Sequence, residues 1–128
     1  MSKETKVFLG IIVGLVVIIG GSLIINTKTP GKYDDFAQCL KDSGTKFYGA
    51  YWCPHCAAQK ALFGKSAKKL PYIECALSQD KQTQICIDNK IESYPTWELK
   101  DGTRLQVENS SGVSLETLAA KTSCALPN

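Results

Sequence analysis

Tyr33, Phe36, Ala37 and Leu40 recur at helical spacing, with Asp34 and Asp35 in the first turn, where the helix dipole favours acids. Gly44 is the expected stop. Residues 45–51 are aromatic and apolar on both faces, as in a central buried strand. A helix is predicted from Cys53-Pro54 to about Lys69, its end marked by Lys65, Lys68 and Lys69. Residues 71–76, PYIECA, read as a second strand, and a weaker helical pattern covers 78–90. Residues 96–100 alternate, with Trp97 and Leu99 on one face. Asp101-Gly102 is a two-residue hairpin signal, and 104–108 alternates again through Leu105 and Val107. After a Ser/Gly loop, Ser114 caps a last helix with Leu115, Leu118 and Ala119 inward. Two strands joined by a crossover helix run parallel, and a hairpin adds two antiparallel ones. The predicted class is α/β, with a mixed four-stranded sheet flanked by helices.

Residues 7–25, VFLGIIVGLVVIIGGSLII, break with this alternation. No charged residue stands between Lys6 and Lys28. At about 1.5 Å per residue such a run crosses a hydrocarbon core of roughly 30 Å. The expected organisation is a short basic tail over 1–6, a transmembrane anchor in lipid over 7–25, a linker over 26–32 and a folded domain over 33–128. A cleavable signal peptide is the competing reading. Against it, Gly20-Gly21-Ser22 is followed by Leu23, Ile24 and Ile25, and no A-x-A-like site follows the run. The linker NTKTPGK reaches no more than roughly 25 Å at full extension, so the domain is expected close to the bilayer.

Charge separates the two parts. Residues 1–32 hold four lysines and one glutamate, whereas 33–128 hold eleven basic and eleven acidic residues. A neutral folded part gives no nucleic-acid surface. Lysines flank both ends of the apolar run, so the positive-inside rule alone does not orient it. The six cysteines do, because a reducing cytosol would keep them unpaired. The domain is expected on the periplasmic, lumenal or other extracytoplasmic side of a single-pass anchor.

Cys53 and Cys56 bracket Pro54 and His55 in YWCPHC. With a helix starting at Cys53, its sulfur takes the N-cap position, accepts backbone N–H groups and meets the positive end of the dipole. Both effects favour thiolate over thiol. Pro54 at the first helical position loses no hydrogen bond, and Cys56 falls on the same face, able to close a small disulfide ring. A stable thiolate leaves readily, which makes the disulfide form an oxidant. His55, the one histidine in the chain, adds a further dipole or partial charge beside Cys53. Zinc takes four ligands, usually from two such pairs, and the chain has neither a second C-x-x-C nor a second histidine, so neither a metal site nor a bound cofactor is expected.

The segment YGAYWCPHC resembles the strand-to-active-site segment of the thioredoxin superfamily, and Tyr94-Pro95-Thr96 resembles its YPT motif. The likeness covers nearly all of 33–128 and implies a thioredoxin-like fold. It implies Cys53 and Cys56 as the catalytic pair, supported by Trp52, Pro54, His55, Tyr94 and Pro95, with Pro95 in cis beside the C-x-x-C and the backbone near Tyr94 pairing with a substrate chain. The Pro-His spacer is similar to that of DsbA-type oxidases. GAYWCPHC together with QTQICIDNKIESYPTWE resembles the thioredoxin-like domain fused to, or partnered with, bacterial vitamin K epoxide reductase homologues. The partners implied are substrate proteins with free thiols and a separate, quinone-linked membrane oxidase of that type. Two features depart from the family. Phe47 stands where a buried acid is expected, six residues before Cys53, and the first strand of full-length thioredoxin is missing, which makes 71–76 a sheet edge.

Four further cysteines allow three pairings. A link like that of some eukaryotic disulfide isomerase domains implies Cys75–Cys86, leaving Cys39–Cys124 to tie the first helix of the domain to the chain end and contribute roughly 4 kcal/mol. An alternative gives Cys39 or Cys124 a part in electron relay. The expected function is membrane-tethered oxidation of substrate thiols, with a tethered reductase or isomerase, or a copper-handling module, as alternatives.

Overall fold

The computed structural model describes residues 2–128, and the side chains of all of these except 23–28. It divides into two units, residues 1–30 and 31–128. The first is a single helix, α1 (Lys3–Lys28), which starts before the apolar run and takes in the first residues of the expected linker. From Val7 to Ile19 every large apolar side chain is more than half exposed. A helix apolar on all sides has nothing to pack against in water, and Lys3–Ser22 is long and apolar enough to cross a membrane.

The second unit contains α2 (Asp34–Asp42), β1 (Lys46–Gly49), α3 (Pro54–Ala61), a 3-10 helix (Gly64–Lys69), β2 (Tyr72–Glu74), α4 (Gln84–Asp88), β3 (Thr96–Glu98), β4 (Arg104–Leu105) and α5 (Leu115–Thr122). The sheet order is β2-β1-β3-β4, with β1 parallel to β2 and antiparallel to β3, and β3 antiparallel to β4. This is the thioredoxin fold, with β2 at the sheet edge.

Alternation along β1 sends Phe47 to one face and Tyr48 to the other. Phe47 joins Trp97, Phe36, Leu40, Phe63, Val113 and Leu118 in the main core. Tyr48 packs with Cys75, Cys86 and Ile91 on the opposite face. Trp97, the register partner of Phe47, stacks on it with ring centroids 4.6 Å apart. Aromatic stacking thus occupies the position where an acid was expected.

Six elements are shorter than their patterns predict, two of them only at their ends: 45–51 contracts to Lys46–Gly49 and 96–100 to Thr96–Glu98. The helix expected to reach Lys69 ends at Ala61, and the chain restarts at Gly64, whose φ of +53° favours glycine. The 3-10 helix that follows is tied to α2: the Ser66 hydroxyl accepts the Tyr33 N–H at 3.0 Å, and Lys69 pairs with Asp34 at 3.0 Å. Of 78–90, only Gln84–Asp88 is helical, because the Leu77 N–H bonds the Lys81 carbonyl at 2.8 Å and Ala76 bridges to Gln82, which uses up the preceding turn. The strand predicted over 104–108 ends at Leu105, since Glu108 and Asn109 enter a turn closed on Gly112. The 71–76 strand contracts to Tyr72–Glu74.

Two disulfides fasten the unit. Cys39–Cys124 joins α2 to the residue beyond Ser123 at the end of α5, and Cys75–Cys86 joins the end of β2 to α4.

Candidate functional site

At the end of β1 the chain turns through Ala50, Tyr51 and Trp52, and the Cys53 N–H bonds the Ala50 carbonyl at 3.0 Å. Cys53 has extended backbone angles and is the N-cap of α3, with Pro54 in the first turn. The Cys53 Sγ accepts the Cys56 N–H at 3.1 Å, so a sulfur takes the place of the usual capping oxygen. Neither Cys53 nor Cys56 forms a disulfide in this structure, and both are buried, at 5% and 1% exposure. Burial, then the hydrogen bond to Cys53, push the Cys56 thiol up to about 12, while the Ala50 amide and the Lys60 charge act in the opposite sense.

Tyr94-Pro95 is a cis peptide bond. Thr96 pairs with Tyr48, so Pro95 emerges at the same end of the sheet as Gly49 and the segment leading to Cys53. Trp52 and Tyr94 link the two segments, ring edge to ring face, with centroids 6.0 Å apart. The Tyr94 hydroxyl also accepts from Gln82. Trp52 is 41% exposed and Tyr51 63% exposed, leaving aromatic surface around the buried pair. Trp52, Tyr94, Ala76 and residues 78–82 line a shallow depression of about 330 Å³ on this side.

His55 is exposed on the first turn of α3, and its Nδ1 lies 2.9 Å from the Ser110 carbonyl. A carbonyl only accepts, so Nδ1 carries the proton, and the ring is held toward the 109–112 turn. Cys39, Cys124, Cys75 and Cys86 are all engaged in the two disulfides. Among the described residues no group of three His, Cys, Asp or Glu side chains is arranged to hold a metal ion.

Three further residues shape the site and went unread in the sequence. Gln59, fully buried on α3, accepts the Val113 N–H at 2.7 Å and donates to the Val113 carbonyl at 3.0 Å. Tyr72 and Glu74 alternate onto the β2 face shared with Phe47 and Gly49, and the Tyr72 hydroxyl donates to Glu74 Oε2 at 2.8 Å. The PYIECA alternation did carry a signal for this pair, since residues two apart in a strand share a face.

The profile of the thioredoxin family matches residues 28–123. The chain is similar to thiol-disulfide oxidoreductase LTO1 of Arabidopsis thaliana, at 46% identity over 70 residues, which is 51% of this chain and 19% of that protein. It is also similar to the thioredoxin domain-containing protein 5 homolog of Drosophila melanogaster, at 32% identity over 98 residues, covering 68% of this chain and 23% of that protein. The chain therefore spans less than a quarter of the length of either relative. With the profile running from the end of α1 through α5, the chain belongs to the thioredoxin family.

Proposed function

We propose that the chain is a membrane-tethered thiol–disulfide oxidoreductase working as an oxidant of protein thiols. The observation that carries this reading is the Cys53 sulfur at the N-terminus of α3, accepting the Cys56 N–H at 3.1 Å with Cys56 buried behind it. A thiolate at that position gains both the hydrogen bond and the helix dipole. The relative named as a thiol-disulfide oxidoreductase supports the chemistry. The Pro-His spacer favours the oxidising direction.

In the cycle, a substrate thiolate attacks Cys53 Sγ of the Cys53–Cys56 disulfide, and Cys56 leaves with the electron pair of the broken bond. A second substrate thiolate attacks the substrate sulfur of the mixed disulfide and Cys53 leaves, so the substrate gains a disulfide and the pair becomes a dithiol. Cys53 then attacks a disulfide of a quinone-linked membrane enzyme resembling vitamin K epoxide reductase homologues, and Cys56 resolves that mixed disulfide. His55 and Pro54 support the helix start, and Trp52, Tyr94 and Pro95 form the bank on which a substrate chain lies. Anchoring through the α1 segment would keep the pair near such a partner. Two structural disulfides favour an oxidising, extracytoplasmic compartment.

The test is the reduction potential of the Cys53/Cys56 couple, with a Cys56→Ser variant to trap partners. A value well above about −270 mV, toward the about −120 mV of strong oxidants, is expected. A thioredoxin-like value would reverse the proposed direction of electron flow. Absence of any trapped mixed disulfide at Cys53 would count against exchange chemistry altogether.

A further inference from the structure

Resolution of a mixed disulfide needs Cys56 as a thiolate, yet the residue is 1% exposed and has little contact with bulk water. The groups facing it come from three directions. The first is α3, with Cys53 and Lys60; the second is the segment after β1, with the Ala50 amide; the third is β2, with Tyr72, whose hydroxyl is bonded to Glu74.

Gly49 shows how closely the third group approaches. It pairs in register with Glu74, one residue pair beyond Tyr48 and Ile73. A Cβ built on Gly49 would lie 3.1 Å from Cys56 Sγ and 3.3 Å from the Tyr72 hydroxyl oxygen. Thiol and phenol therefore both lie against one point that only a glycine leaves open, with the Tyr72 ring carbon Cε2 2.7 Å from it. Beyond the phenol, Glu74 Oε2 accepts the Tyr72 hydroxyl at 2.8 Å, and Oε1 accepts the N–H groups of Tyr51 at 3.1 Å and Ala76 at 2.9 Å. The Lys60 ammonium sits over the Tyr72 ring, 3.4 Å from its centroid.

We propose that Tyr72 and Glu74 form the proton relay of Cys56, with the Glu74 carboxylate as base and the Tyr72 phenol as conduit. The inference rests on the thiol–disulfide reading above. When Cys56 is activated, its proton passes to the Tyr72 oxygen, directly or through one water, as the phenol proton crosses to Glu74 Oε2. The electron pair stays on Cys56 Sγ, forms the bond to Cys53 Sγ, and the partner sulfur departs with the pair of the broken S–S bond. When Cys56 is instead the leaving group, the same path returns the proton. Burial, with Glu74 alongside, holds the Tyr72 phenol well above its usual range, so it stays a neutral donor between the two acidic ends.

The test uses the full chain in detergent micelles, reduced and mixed with oxidised glutathione. Acid quenching and mass spectrometry separate formation of the Cys53–glutathione adduct from its resolution by Cys56. Glu74→Gln keeps an oxygen for the Tyr51 and Ala76 amides, and Tyr72→Phe keeps the ring, so the two variants check each other for folding. Each should slow resolution on the order of 10²-fold near neutral pH, leave adduct formation within about twofold, and converge on wild type as rising pH lets hydroxide serve as base. The double variant should be no slower than the slower single one, as for two parts of one path. Unchanged resolution, or a slowing by the same factor at every pH, overturns the relay. No adduct at Cys53 in the wild type would instead overturn the exchange reading itself, and the relay with it.

Discussion

The Gln59 amide closes two hydrogen bonds on the backbone of a single residue, accepting the Val113 N–H at 2.7 Å and donating to the Val113 carbonyl at 3.0 Å. The contact joins α3, three residues past Cys56, to the segment that follows the 109–112 turn. Gly112, with φ +99°, lies against the same amide, where a side chain would collide with it. The turn in turn supplies the Ser110 carbonyl that holds His55.

Replacing Gln59 by Leu keeps the bulk and removes both bonds, leaving a buried N–H and a buried carbonyl without partners. A loss of about 2–4 kcal/mol is expected, read from the midpoint of urea unfolding. His55 should also lose its fixed orientation, visible as sharpened imidazole resonances in NMR spectra. A variant with unchanged midpoint would show that water replaces the amide at no cost.

Phe47 permits a second test. Its ring is fully buried, stacked on Trp97 at 4.6 Å and edge-on to Tyr72 at 5.2 Å. Phe47→Asp would put an acid where the family resemblance leads one to expect it, but against two rings and with no partner for its charge. The expected loss is at least about 4 kcal/mol, from the lost aromatic packing and the desolvated carboxyl. Calorimetry of the reduced protein would measure it, and a stable, well-folded variant would contradict the packing described here.

That position also marks where sequence reasoning stopped. The element order, the helix start at Cys53-Pro54 and the presence of a hairpin at Asp101-Gly102 were legible because each rests on local chemistry: a capping residue, a proline without an N–H, a glycine at φ +85°. The hairpin's loop, read as two residues, is three, 100–102, because Glu98 pairs with Arg104 and Leu99 faces Thr103. The break after Ala61 was not legible, because Ser66, just past it, acts through contacts with Gly31 and Tyr33, far away in the chain. The same holds for Glu74. Its carboxylate is defined by amides at 51 and 76 and by a phenol at 72, and only the parallel register of β2 on β1 brings it beside Gly49.

The two disulfides should differ in what they contribute. Cys39–Cys124 closes a loop with a sequence separation of 85, and Cys75–Cys86 one of 11. In the chain-entropy treatment, losing the first costs about 4.5 kcal/mol and losing the second about 3 kcal/mol. Paired Cys→Ala variants, unfolded in guanidinium with the Cys53/Cys56 pair held reduced, would give both numbers. Removing Cys75–Cys86 should also loosen α4 and the 77–82 turn selectively, seen as faster amide exchange there, because that bridge joins only β2 and α4.

Cys56 ties stability to pH in the reduced protein. Folding raises its pKa from 9.0 to about 12, chiefly by burial. Below pH 9 the thiol is protonated in both folded and unfolded chains, and its contribution is fully present. Between pH 9 and 12 the unfolded chain releases the proton while the folded one retains it, so the unfolded state is favoured by about 1.4 kcal/mol for each pH unit. In a Cys53→Ser background, Cys56 is the remaining thiol of the pair, and Cys53→Ser/Cys56→Ser supplies the reference in which no thiol of the pair titrates. The difference in unfolding free energy between these two variants should be flat up to pH 9 and then fall steadily toward pH 11. The phenols, Tyr72 included, are common to both and cancel to first order. A flat difference throughout would mean that Cys56 meets the solvent as freely in the folded chain as in the unfolded one, and that its proton needs no route out.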